Sequence, residues 1–135
     1  MNVLVDTSVW SLALRRAKRI NSRASEELGE LIREGRVSMI GPVRQELLSG
    51  IKAKPQFEQL RDHLQNFPDL DLETADYEEA ATAFNRCRDR GIQGSNTDFL
   101  ICAVAMRRRL PIYTTDKDFL HYAKVFKLSL HQPRS

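Results

Sequence analysis

Residues 99–106, FLICAVAM, form an uninterrupted apolar run. Ser95 and Asp98 precede it with the spacing of a helix start, and Arg107, Arg108 and Arg109 follow, as basic residues do near helix C-termini. A helix that is hydrophobic on every side has to be covered on every side. The run falls far short of the roughly 20 residues needed to cross a bilayer, so the chain's own elements must cover it. At 135 residues the chain is long enough to do this as one domain, 1–135.

The remaining sequence alternates between strand and helix patterns. Val3–Val5 make residues 2–6 a buried strand, and Thr7 or Ser8 is suited to cap a helix running to about Arg16. Leu28, Leu31 and Ile32 mark a helix from Ser22 to Arg33 that stops at Gly35. VSMIG, 37–41, is the next strand, and Pro42 opens a helix ending near Gly50. Phe57, Leu60, Leu64 and Phe67 give a further amphipathic helix, and Thr74 starts another that reaches about Arg90. Gly91 and Gly94 bracket the loop before the buried helix. LPIYTT, 110–115, is a strand, a short helix covers about 117–125, and KLSLH, 127–131, is a last strand. This order predicts an α/β fold with a mainly parallel sheet. In such sheets ligands bind outside the carboxyl ends of the strands.

Four acids fall at that edge. Asp6 ends the first strand and Asp116 ends the strand 110–115. Asp98 lies in the first turn of the buried helix, and Glu46 about one turn into the helix that follows 37–41. Taken singly, each has an ordinary explanation. Asp6 suits a turn or cap, Asp98 a capping box with Ser95, Glu46 a solvated helix face, and Asp116 the cap of the next helix. None of these explanations asks the acids to share one edge of the sheet; a common ligand does. Carboxylates grouped without Cys or His point to a hard divalent cation, Mg²⁺ or Mn²⁺. One or two such ions activate and orient a water against a phosphate ester. His63, His121 and His131 are not required. There is no P-loop, no GxGxxG after a strand and no G-x-S-x-G elbow. Asp6 also lacks the second Asp two residues on that an aspartyl-phosphate mechanism would want.

The blocks VLVDTSVW, PVRQELLSG, NTDFLICAVA and YTTDKDF, spread over residues 3–119, together resemble the PIN-domain family, particularly the VapC-type toxins of bacterial toxin–antitoxin pairs. The resemblance implies a compact three-layer α/β/α sandwich and a Mg²⁺- or Mn²⁺-dependent endoribonuclease that hydrolyses phosphodiester bonds with a metal-activated water. It implies Asp6, Asp98 and Asp116 as metal ligands, with Glu46 completing the four catalytic acids. Thr7, Ser8 and Thr115 take the supporting hydroxyl positions, and Asp118 is a further acid beside Asp116. A homodimer and a VapB-like antitoxin partner are also implied. Two other readings remain: a PIN-like module that binds RNA or protein without cutting, and a metal-dependent DNA nuclease or phosphatase using the same acids.

Charge and cysteine content bear on partners and compartment. The net charge is +3, and the rest of the chain carries +7 once the four acids are set aside. Arginines cluster at 15, 16 and 19, at 86, 88 and 90, and at 107–109, which favours a polyanionic partner. Arg15, Arg16 and Arg19, shortly after Asp6, are the expected contacts to the RNA backbone. Cys87 and Cys102 are too few for a disulfide framework, and no basic segment precedes a hydrophobic one at the start. A cytoplasmic location with no membrane contact is the expectation.

Overall fold

The computed structural model describes residues 1–14 and 22–134. Val3, Leu4 and Val5 are fully buried and form β1 (Val3–Val5) at the centre of a parallel sheet. On one side lies β2 (Val37–Ser38), with Val3 opposite Val37; on the other lies β3 (Ile112–Tyr113), with Val5 opposite Tyr113. Both outer strands are shorter than the segments 37–41 and 110–115. Ile40 is taken as the N-cap of the next helix, and Pro111 has no N–H to donate to the ladder. Each edge is extended by a single parallel bridge, Met39 to Asp69 and Ile112 to Leu130. The expected last strand, 127–131, therefore reduces to the pairing around Leu130. There Ile112 donates to Ser129 and His131 donates to Ile112, both at 2.8 Å.

Helices flank the sheet in the expected three-layer α/β/α arrangement: α1 (Thr7–Leu14), α2 (Arg23–Arg33), α3 (Gly41–Leu48), α4 (Lys54–Leu64), α5 (Thr74–Asp89), α6 (Asn96–Arg108) and α7 (Asp118–Tyr122). α6 is the helix read from its apolar run, and every residue from Phe99 to Ala105 is buried. α5 lies along it, and α6 in turn meets β3. No helix among the described residues is long and apolar enough to cross a membrane.

The ends of α6 are fixed differently. At the start, Ser95 accepts the N–H of Asp98. At the finish, Arg109 adopts φ 56°, and Leu110 donates back to Ala105. A left-handed non-glycine residue costs about 1–2 kcal/mol. The two residues before it are tied down, because Arg107 and Arg108 reach Asp76 of α5 at 2.7 and 2.8 Å. Asp76 is fully buried. Burial opposes its ionisation, but Arg108, the Glu73 N–H and Arg107 outweigh that and hold its carboxyl well below the usual range. Two of the three arginines are thus paired with a buried acid, while Arg109 is exposed. Arg86 and Arg88 lie over the rings of Phe126 and Phe84.

Candidate active site

Asp6 occupies the last rung of β1 and the start of α1 together. Its N–H donates to Tyr113 at 2.8 Å, and its carbonyl accepts from Val9 and Trp10. It therefore holds the cap position expected of Thr7 or Ser8, and Thr7 is the first helical residue. The Asp6 side chain is 4% exposed. Its Oδ2 accepts the hydroxyls of Ser8 at 2.7 Å and Thr114 at 2.8 Å. These two hydroxyls also accept the backbone N–H groups of Thr115 and Asp116, each at 3.0 Å. Burial pushes the Asp6 carboxyl above its ordinary range, against the pull of the Ser8 and Thr114 donors.

Asp98 enters from the first turn of α6. The Ser95 half of a capping box is present, since Ser95 Oγ accepts the Asp98 N–H at 3.0 Å. The carboxylate instead accepts the Tyr122 hydroxyl on Oδ2 at 2.7 Å. Burial raises the pKa of Asp98, and the negative charges of Asp6 and Asp116 raise it further, while the Tyr122 and Ser95 hydroxyls work against them. Like charges held close in a poorly solvated place are the physical cause.

Asp116 follows β3, and its Oδ1 accepts the N–H of Asp118 at 2.9 Å. Carboxylate oxygens of Asp98, Asp116 and Asp118 lie within 4.8 Å of one another. Asp6 stands beside this trio rather than within it. Glu46 is exposed on α3 and is tied to the start of α1 by the Thr7 hydroxyl, 2.7 Å from its Oε1. Asp116 also lines a groove of about 210 Å³ shared with Thr114, Thr115, Lys117, Leu120 and His131.

Two side chains at this site were not legible from the sequence pattern. The hydroxyl on Asp6 belongs to Thr114, whereas Thr115 is exposed and reaches Ser8 only through its backbone. Tyr122 reads as a core aromatic, and only its polar tip, which needs a partner when buried, hints at more. Arg15, Arg16 and Arg19 lie outside the described residues.

The donor set is all carboxylate and hydroxyl oxygen, with mutually repelling acids, as a hard divalent cation requires. Cys87 and Cys102 are both buried and offer nothing to it.

Comparison with known proteins identifies the family. The family model described as PIN domain matches residues 3–125. VapC ribonuclease Mb1587 from Mycobacterium bovis is 31% identical over 130 residues, covering 93% of this chain and 95% of that protein. Ribonuclease VapC11 from Mycobacterium tuberculosis matches to the same extent. Among solved structures, FitAcB from Neisseria gonorrhoeae superposes with a TM-score of 0.75 at 22% identity, covering 97% of each chain. VapBC2 from Rickettsia felis, bound to a DNA fragment from its promoter, gives 0.76 at 19%, covering 97% of this chain and 98% of that one. With the family model matching residues 3–125 and the VapC relatives covered nearly end to end, the chain belongs to the PIN-domain family, in its VapC type.

Proposed function

We propose that this chain is a Mg²⁺- or Mn²⁺-dependent endoribonuclease and the toxin half of a VapBC-type pair. The observation that carries the reading is the approach of the Asp98, Asp116 and Asp118 carboxylates within 4.8 Å, beside Asp6, at the carboxyl edge of a parallel sheet. The relatives named ribonucleases and the similar folds found in toxin–antitoxin complexes support the same class.

Asp98, Asp116 and Asp118, with Asp6 beside them, would hold the cation. When bound, such an ion neutralises charge on a phosphate ester and lowers the pKa of water. Ser8 and Thr114 orient Asp6; Tyr113 and the first turn of α1 fix its backbone. Glu46, steadied at Oε1 by the Thr7 hydroxyl, is the fourth acid of this reading. The groove beside Asp116 receives the strand flanking the scissile bond. A homodimer and a VapB-like antitoxin are the partners in this reading, with Arg15, Arg16 and Arg19 as the backbone contacts to RNA.

Purified chain is incubated with single-stranded RNA, single-stranded DNA and a phosphomonoester, with Mn²⁺ and then with EDTA. RNA cleavage that stops in EDTA and in Asp98→Asn is expected. RNA bound but left intact would identify a binding module, and cleavage persisting in EDTA would overturn the metal mechanism.

A further inference from the structure

Tyr122 is fully buried, wedged against Phe99 and Phe119 with ring centroids 4.9 and 5.1 Å away. A phenylalanine would fill the same space, so packing alone does not call for the hydroxyl. Two independent features do involve it. The hydroxyl donates to Asp98 Oδ2 at 2.7 Å. It also sits where residue 94 would otherwise carry a side chain: a Cβ there would come 2.3 Å from the hydroxyl oxygen and 2.9 Å from both the Tyr122 Cζ and the Phe99 ring. Gly94 is thus the space into which the phenol reaches on its way to the acid.

The bond occupies one oxygen of Asp98. Asp116 is similar, with Oδ1 taken by the Asp118 N–H, and both hydroxyls on Asp6 share Oδ2. A carboxylate held by one oxygen presents the other as a single ligand atom. Small octahedral ions such as Mg²⁺ and Mn²⁺ suit single oxygens, whereas Ca²⁺ takes more ligands and readily accepts both oxygens of one carboxylate.

We infer that Tyr122 is a positioning residue for the cation site: through its hydroxyl it locks Asp98 in a one-oxygen presentation that favours Mg²⁺ and Mn²⁺ over Ca²⁺. The inference rests on the proposed function, because it assigns a role toward the cation that Asp98 holds there. Outer partners of metal ligands commonly contribute 10- to 100-fold to affinity.

The test measures Mn²⁺ binding by electron paramagnetic resonance and Ca²⁺ binding by calorimetry, without RNA, in wild type, Tyr122→Phe, Gly94→Ala and Asp98→Asn. Metal-free melting temperatures are taken alongside. Tyr122→Phe is expected to weaken Mn²⁺ by about 10-fold or more, to leave Ca²⁺ unchanged or tighter, and to melt near wild type. Gly94→Ala, whose Cβ crowds the hydroxyl most closely, should reproduce the lost preference. If Tyr122→Phe binds Mn²⁺ like wild type while Asp98→Asn does not, Tyr122 only packs and the inference is overturned. Loss of Mn²⁺ binding only in proportion to lost folded protein overturns it too. If Asp98→Asn itself binds Mn²⁺ like wild type, the placement of the cation is wrong and the Tyr122 role falls with it.

Discussion

Thr114 donates its hydroxyl to Asp6 Oδ2 at 2.8 Å, joining residues 108 apart in sequence where β3 meets β1. The Thr114 hydroxyl oxygen itself accepts the Asp116 N–H, so one hydroxyl aligns two acids of the candidate site. Thr114→Val keeps the shape and removes both bonds. The Asp6 carboxyl, already raised by burial, should rise further, so cation binding should fail at a higher pH than in wild type. At neutral pH a loss of about 10-fold in Mn²⁺ affinity is expected. Thr115→Val should bind Mn²⁺ as wild type does, and titrating Mn²⁺ at several pH values compares the two variants.

Asp98→Asn should abolish cleavage yet leave the metal-free protein as stable as wild type or more so. Asp6 and Asp98 both have folded-state pKa values above their unfolded ones. The folded protein therefore binds more protons than the unfolded chain between the ordinary carboxylate range and those raised values. Stability falls as pH rises through that window and levels off above it. Melting in EDTA across the window should show this decline, and Asp98→Asn should flatten part of it. A large loss of metal-free stability in the variant would mean that the carboxylate serves the helix start after all.

A divalent cation relieves the same repulsion. At a concentration 100 times its dissociation constant, linkage adds about 2.7 kcal/mol, or about 10 °C in melting temperature for a chain of this size. Calorimetry with and without Mn²⁺ checks the figure. No shift at saturating Mn²⁺ would count against carboxylates arranged in advance.

Asp76→Ala should destabilise the fold by about 1–3 kcal/mol, because it removes the acceptor of Arg107, Arg108 and the Glu73 N–H while leaving the two arginines partly solvated. Since the Asp76 pKa is depressed, its contribution is complete above the ordinary carboxylate range and is lost progressively as pH falls from there toward the depressed folded value. Denaturant titrations at neutral pH and near pH 3 should therefore differ less for the variant than for wild type. Mn²⁺ affinity of the folded fraction should not change.

The sheet's centre and the buried helix were readable because they follow from burial alone: Val3–Val5 and Phe99–Ala105 have no polar face to mislead. The positions of the four acids relative to these elements were readable too: Asp6 follows β1 directly, Asp98 opens α6, Asp116 lies just beyond β3, and Glu46 falls within α3. What escaped the sequence depends on the fine path of the backbone after an element stops. Alternation along 110–115 cannot tell which of two threonines turns toward Asp6 once the ladder ends at Tyr113. The pairing of Arg107 and Arg108 was not readable because their partner, Asp76, sits in the acid-rich run DYEE and carries no local sign of burial. Tyr122 was hidden among aromatics whose spacing suggests only core.

The burial of α6 has a further consequence for Asp98. That residue sits on the first turn of a helix whose next seven residues are buried without a break, and whose far end is clasped to Asp76. Elements this enclosed exchange their amide protons only when a whole molecule opens. The acid on its first turn has little freedom to drift while the fold is intact.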